Sequence, residues 1–216
     1  MPDTLDQQIL AVVQQQFGSS NFDKFQAIRY VWYSKQTYPA AGSTSLSFFG
    51  DVVGQNSVTN ATTNMTRANS FSQRYFLMRA IRTHFYMNST VMNDTASMAN
   101  TYLAVAHNVV ESASWLTFSI QDKEYLKIAN PLSYMPYGGG FVGNVMQGEV
   151  STNKYCSYGT VGPRKDDVFV LEPPQLIEAE TTFKFTIEWS SAVALPGANT
   201  GTIGIWIDGI VFRPLQ

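Results

Sequence analysis

Two histidines, one cysteine and a short series of glutamates are the residues of this 216-residue sequence whose types and spacing could do chemistry. His84 and His107 each lack a second histidine or a carboxylate at metal-ligand spacing, which excludes a zinc site of the His-Glu-x-x-His kind. Each reads instead as a hydrogen-bonded structural residue. Cys156 stands alone, so neither an intrachain disulfide nor a thiolate cage can form, and it reads as a small apolar side chain. Glu172, Glu178, Glu180 and Glu188 are near enough in sequence to include a glycosidase pair, in which one acid protonates the leaving oxygen and the other attacks or activates water. Against that, Glu188 falls on the outward side of an alternating strand and Glu178 and Glu180 follow Pro173-Pro174, so solvated charges are expected.

Gly138-Gly139-Gly140-Phe141-Val142-Gly143 satisfies G-x-G-x-x-G, yet it follows Tyr134-Met135-Pro136-Tyr137 instead of an apolar strand and opens no helical pattern. Without a helix N-terminus there is no dipole to hold a pyrophosphate. Neither a G-x-S-x-G elbow nor a Walker lysine loop occurs. The expectation is a protein that is not an enzyme and holds no cofactor and no metal.

The elements that would have to position any site are mostly strands. From Thr182 to Trp189 apolar and polar residues alternate without a miss, the period-two pattern of a strand with one buried face. Asp167 to Leu171 predicts a shorter strand stopped by Pro173-Pro174, whose rings remove ladder donors. Ile203 to Phe212 predicts one long strand with a bulge at Asp208-Gly209, in preference to a hairpin turn there. Trp115 to Gln121 alternates with Leu116, Phe118 and Ile120 inward, and Asp122-Lys123 turns it into Tyr125 to Ile128 as a hairpin. Arg74 to Tyr86 predicts a strand with Tyr75, Leu77, Ile81 and Phe85 on one face. Ser45 to Phe49 and the surroundings of Phe141 to Val145 and Lys154 to Tyr158 add short strands. Ile28 to Tyr33 and Tyr102 to Val110 fit helix and strand equally.

Thr4 to Phe17 predicts a helix with a capping-box spacing at Thr4 and Gln7, a glycine stop at Gly18, and an apolar stripe of Leu5, Ile9, Val12, Val13 and Phe17. The stripe can dock on its own domain, on a neighbouring subunit or on a membrane surface. Gly50 to Ser70 is a polar loop without period; loops of that length in a compact domain are ordered by a partner or functional in their own right. The expected organisation is an all-β fold, a single jelly roll or β-sandwich of about eight to ten strands over residues 21–216, preceded by a helical arm over residues 1–20.

Composition narrows the function. Charged residues make up 14% of the chain against an ordinary value of about 25%, so the surface is built from Ser, Thr, Asn, Gln and Tyr and suits packing against neighbours. A formal charge of −2 supplies no electrostatic footprint for nucleic acid. The sequence carries no pattern of a secretory signal and no run of about 18 apolar residues, so synthesis in a cell as a soluble chain is expected. The N-x-[ST] triplets at Asn60, Asn64, Asn88 and Asn93 then reflect Asn and Thr richness rather than glycosylation.

Leu171-Glu172-Pro173-Pro174, the strand from Phe183 to Trp189 and the closing Ile205-Trp206-Ile207-Asp208-Gly209-Ile210-Val211-Phe212-Arg213-Pro214 together resemble the jelly-roll capsid proteins of tailless icosahedral bacteriophages, including those that enclose a membrane. The resemblance extends loosely to the hairpin at Trp115 to Ile128. It implies a virion subunit, synthesised in the host cytoplasm, that self-associates into capsomers beside other capsid proteins or an internal membrane surface. Loops such as Gly50 to Ser70 would reach neighbours, and the helix would lie beneath the shell with Leu5, Ile9, Val12, Val13 and Phe17 as an inter-subunit contact. Many such phages use a double jelly roll of about sixteen strands, and this chain has room for one roll; a lattice, vertex or minor role stays open. The alternative is a carbohydrate-binding β-sandwich with Tyr and Trp as platforms.

Overall fold

The computed structural model describes residues 14–15, 25–87, 109, 112–134, 141–144, 157–160, 168–195 and 200–214. Within these, strand follows strand: β1 (Phe25–Tyr38), β2 (Ser45–Phe48), β3 (Tyr75–Met87), β4 (Ser114–Ile120), β5 (Lys123–Ala129), one helical turn α1 (Pro131–Tyr134), β6 (Phe141–Asn144), β7 (Ser157–Thr160), β8 (Phe169–Ile177), β9 (Phe183–Trp189) and β10 (Gly201–Pro214). Two antiparallel sheets of four strands, ordered β1-β10-β3-β8 and β2-β9-β4-β5, form a β-sandwich, and β6 pairs with β7 as a separate ribbon. Of the helix expected over Thr4 to Phe17, only Gln14 and Gln15 are described, both helical and exposed. Tyr102 to Val110 likewise lies outside the described residues, apart from the buried Val109.

Ile28 to Tyr33, ambiguous by spacing, is the middle of a strand because β1 matches β10 residue for residue, from Phe25 opposite Pro214 to Tyr38 opposite Gly201. Trp32, Ser34 and Tyr38 are buried at even spacing, as a sheet face against a core requires. The predicted alternation of β9 holds: Phe183, Phe185, Ile187 and Trp189 are buried while Lys184 is exposed. The β4–β5 hairpin also forms, but its two-residue turn is Gln121-Asp122, one residue earlier than expected, because Lys123 already pairs with Ile120. Leu116 and Phe118 from β4 meet Ile203, Ile205 and Ile207 from β10 in one apolar cluster between the sheets. Rings dominate that cluster: Phe118 stacks on Phe185 at 4.6 Å and Phe71 on Phe183 at 4.9 Å.

Two sequence expectations need correction. First, Pro173-Pro174 do not end their strand. β8 runs through them, but its ladder with β3 passes from Val170 opposite Ala80 directly to Gln175 opposite Met78, leaving residues 171–174 against Arg79 alone. The prolines sit in an irregularity of an edge strand, where no ladder donor is needed. Second, Tyr75 and Leu77 do not share a face with Ile81 and Phe85. β10 pairs Asp208 with Ala80 and Gly209 with Met78, so Arg79 is an extra residue in β3 and every side chain before it changes face. Ile81 and Phe85 enter the core between the sheets, whereas Leu77 joins Phe212 in a second cluster on the outer side. The bulge read at Asp208-Gly209 is therefore present within one continuous strand, and its extra residue belongs to the neighbour.

The long loop 50–70 is held against β1 by hydrogen bonds from its own chain. Asn64 accepts from the Tyr33 N–H through Oδ1 (2.9 Å) and donates to the Val31 carbonyl through Nδ2 (2.8 Å), serving β1 as a neighbouring strand's peptide would. Thr63 Oγ1 donates to the Tyr33 carbonyl and the Lys35 N–H to the Thr62 carbonyl, so the loop covers part of the free edge of β1. The other edges are guarded differently: β8 by its prolines, β2 by being four residues long, and β5 by Lys123, Glu124 and Lys127. Asn64→Ala removes two hydrogen bonds of about 0.5–1.5 kcal/mol each. The expected result is a lower urea midpoint with unchanged m, and faster amide exchange at Tyr33. An unchanged midpoint with unchanged exchange would mean that water replaces the amide at no loss.

Candidate functional site

The candidate acids take separate roles. Glu188, on the outer side of β9, accepts a 2.6 Å hydrogen bond from Trp115 Nε1 of the adjacent β4, its direct cross-strand partner. Glu180, in the turn between β8 and β9, accepts from the Gln73 N–H and pairs with Arg67. Both were expected to be merely solvated. They instead hold an indole and a loop, because each lies beside a donor far away in sequence. Glu172 is exposed in the irregular part of β8, in the other sheet from Glu188, so these two do not lie side by side in one ladder, and Glu178 is exposed just after β8. His84 lies on the outer side of β3 with its ring edge to Trp206 at 6.4 Å. Phe141 to Gly143 of the glycine-rich motif lie in strand β6 and not at a helix start. His107, Cys156 and the stripe Leu5, Ile9, Val12, Val13 and Phe17 lie outside the described residues. Among the described residues no group of three His, Cys, Asp or Glu could hold a metal, and no helix is long and apolar enough to cross a membrane.

What the structure brings together, and local reading missed, is an ion-paired cluster on the outer face of the β1-β10-β3 sheet. Asp208, in the middle of β10 with a side chain 13% exposed, takes Arg29 of β1 through Nη2 at 3.0 Å and Nε at 3.5 Å, and Arg82 of β3 at 3.5 Å. The Asp208 carboxylate, by hydrogen bond and by charge, holds the Arg29 guanidinium above its ordinary value. Both arginines are diagonal neighbours of Asp208 in the ladders, close enough for long side chains to reach. Together they tie three strands at the level where the Arg79 bulge interrupts the β10–β3 pairing. The only signal in the sequence was a charge inside an apolar run, Ile207-Asp208-Gly209-Ile210.

Beside this brace and on the second sheet, lysines lie over four aromatic rings. Lys35 Nζ lies 6.0 Å from the Tyr33 ring and 5.9 Å from the Trp206 ring, which face each other across β1 and β10. Lys127 Nζ lies 5.6 Å from the Trp115 ring, and Lys123 Nζ 5.2 Å from the Tyr125 ring, on the second sheet. Trp206 is laid down along its own strand over Gly204, where an added Cβ would come within 2.4 Å of the indole. These surfaces are braced, lysine-covered sheet faces that can take part in contacts; they do not assemble a nucleophile, a base and an oxyanion site. The chain matches no protein-family model, and it matches no curated protein in sequence.

Proposed function

We propose that the chain is a structural subunit of a viral shell, a capsid protein built on a single jelly roll that works by self-association. The strand order is the observation that carries this reading. Numbered one to eight along the chain, the strands of the two sheets are β1, β2, β3, β4, β5, β8, β9 and β10. The first pairs with the last (β1–β10), the second with the seventh (β2–β9), the third with the sixth (β3–β8) and the fourth with the fifth (β4–β5). That is a long hairpin rolled into two facing sheets, the plan of a jelly roll, which recurs in viral capsids, lectins and cupins.

Physical features favour the capsid among these three. A cupin metal site wants clustered histidines, and the whole chain has two. A lectin platform needs open aromatic faces for sugar stacking, whereas Lys35, Lys127 and Lys123 lie over Tyr33 and Trp206, Trp115 and Tyr125. The low charge content and polar, uncharged composition suit repeated packing against identical neighbours, in which individually weak contacts close a shell through symmetry. The guarded sheet edges mean that such contacts are made by side chains and loops and not by strand addition.

Size-exclusion chromatography with light scattering over rising concentration tests the proposal. The expected result is a discrete capsomer or closed particle, visible by negative-stain microscopy. A chain that stays monomeric at the highest concentration and binds immobilised glycans would replace this reading with the carbohydrate-binding one.

A further inference from the structure

We infer that the first half of β1 is a strand-addition edge at which two copies of the chain pair antiparallel about a two-fold axis, joining their four-stranded sheets into one of eight strands. Guarded edges leave copies to meet through side chains and loops, but the edge of β1 is guarded only in part. Loop 50–70 bonds the Val31 carbonyl, the Tyr33 N–H and carbonyl, and the Lys35 N–H. These positions are odd-numbered, so odd residues turn their peptide groups away from β10 and even residues turn theirs toward it. β1 matches β10 without a register shift, and the same parity holds back to the start of the strand. Ala27 and Arg29 therefore each point an N–H and a C=O at the free edge, and Val31 an N–H. No hydrogen bond from any described residue meets these groups.

The stretch lacks the devices that protect the other edges. It holds no proline, and its one charge, Arg29, is bound across the sheet to Asp208 at 3.0 Å. Gln26, Ala27, Arg29, Tyr30 and Val31 are all exposed. Tyr30 and Val31, at 38% and 40%, are adjacent members of a set of four large apolar residues left open among the described residues. An extended edge with apolar side chains and unmet peptide groups is a template for another strand.

Self-complementarity selects a second copy as the occupant. The open stretch runs from Phe25 to Val31, and a two-fold through its middle residue Ile28 pairs the whole of it with itself. Ala27 then lies opposite the partner's Arg29, Gln26 opposite the partner's Tyr30, and Ile28 opposite the partner's Ile28. Each pair of Ala27 with the partner's Arg29 exchanges two main-chain hydrogen bonds, and the alanine leaves room for the longer side chain beside it. No like charges meet. A two-fold through Arg29 sets two guanidinium groups against each other, and one through Ala27 carries Tyr30 and Val31 past the start of the facing β1. Both copies give the same edge, so the contact closes at two.

The test uses the full chain. Ala27→Pro removes an N–H that the ladder to β10 does not use, and blocks the edge. It is expected to weaken dimerisation about tenfold or more in sedimentation equilibrium, with the urea midpoint unchanged. Because the partner's Arg29 lies opposite, Ala27→Glu should tighten the dimer several-fold and Ala27→Lys loosen it several-fold. With Cys156→Ser, Ile28→Cys should crosslink two chains under mild oxidation about tenfold faster than Gln26→Cys. Residues directly opposed at a non-hydrogen-bonded pair are about 4.5 Å apart at Cα, within disulfide reach. Amide exchange at Ala27 and Arg29 should slow as concentration rises through the dimer range. Slow exchange already in the monomer would overturn the inference, since a segment of the same chain would then hold the edge. Fast exchange at every concentration, or equal crosslinking from Ile28→Cys and Gln26→Cys, would overturn it as well. These readouts follow a dimer and not a closed particle, so they stand or fall apart from the shell reading.

Discussion

Gly209→Ala is expected to cost the sandwich about 3 kcal/mol or more, although the substitution adds one methyl group. Gly209 lies in β10, second strand of its sheet, where the ladder to β3 changes register. Its need for glycine comes from space and not from an unusual φ: a Cβ built there meets the Leu77 carbonyl oxygen at 2.1 Å and Phe76 ring atoms at 2.8 and 2.9 Å. A ring can tilt, but the carbonyl is backbone of β3 on the near side of the bulge. Moving it disturbs the pairing of Leu77 with both Ile210 and Leu176. Overpacking a core costs about 1–3 kcal/mol when side chains can adjust. A backbone clash belongs at or beyond the top of that range, out of a total stability of about 5–15 kcal/mol. Gly50→Ala is the matched control, since a Cβ there meets only Asn69 Nδ2 at 3.9 Å. Urea unfolding followed by circular dichroism compares the two; equal midpoints would show that the bulge relocates freely and does not fix the strands.

The difference between that position and the rest of β10 shows what local sequence carries. β9 was legible because it is a central strand with one face in the core, so every second residue answers to the same environment. The hairpin of β4 and β5 was legible for the same reason, with a polar turn between two alternating runs. The face of Leu77 was not, because a bulge is a property of two strands and Arg79 looks like any other exposed arginine until β10 is laid beside it. Pro173-Pro174 misled in a related way: proline forbids a ladder bond, and only the position of β8 at a sheet edge shows that none was needed. The polar contacts that organise the surface join residues 73 and 179 positions apart, Trp115 with Glu188 and Arg29 with Asp208. Periodicity reports burial; it cannot report which distant partner a charge will find. The loop 50–70 shows the same limit, since its Asn64 completes the edge of a strand that ends 26 residues earlier, counting from Tyr38.

Phe185→Ala should give the largest loss among core truncations, and it bears on how assembly is to be measured. Phe185 is completely buried, stacks on Phe118 at 4.6 Å, and touches the Phe49 and Phe183 rings at 5.3 and 6.3 Å. It sits in β9 between β2 and β4, so its cavity opens where three strands and the turn after β2 meet. Phe→Ala truncations of buried rings cost about 3–5 kcal/mol, the upper part applying where surrounding rings cannot collapse into the gap. Tyr125→Ala on edge strand β5, 43% exposed, should stay within about 0.5 kcal/mol and reports the cost of losing an aromatic as such. If the chain assembles, mass action adds stability to the folded subunit and hides part of the difference at high concentration. Unfolding midpoints are therefore to be compared at the lowest workable concentration. The gap between Phe185→Ala and Tyr125→Ala is expected to narrow as concentration rises through the assembly threshold. Should the two variants unfold together at every concentration, Phe185 would not be part of the packing that joins the sheets.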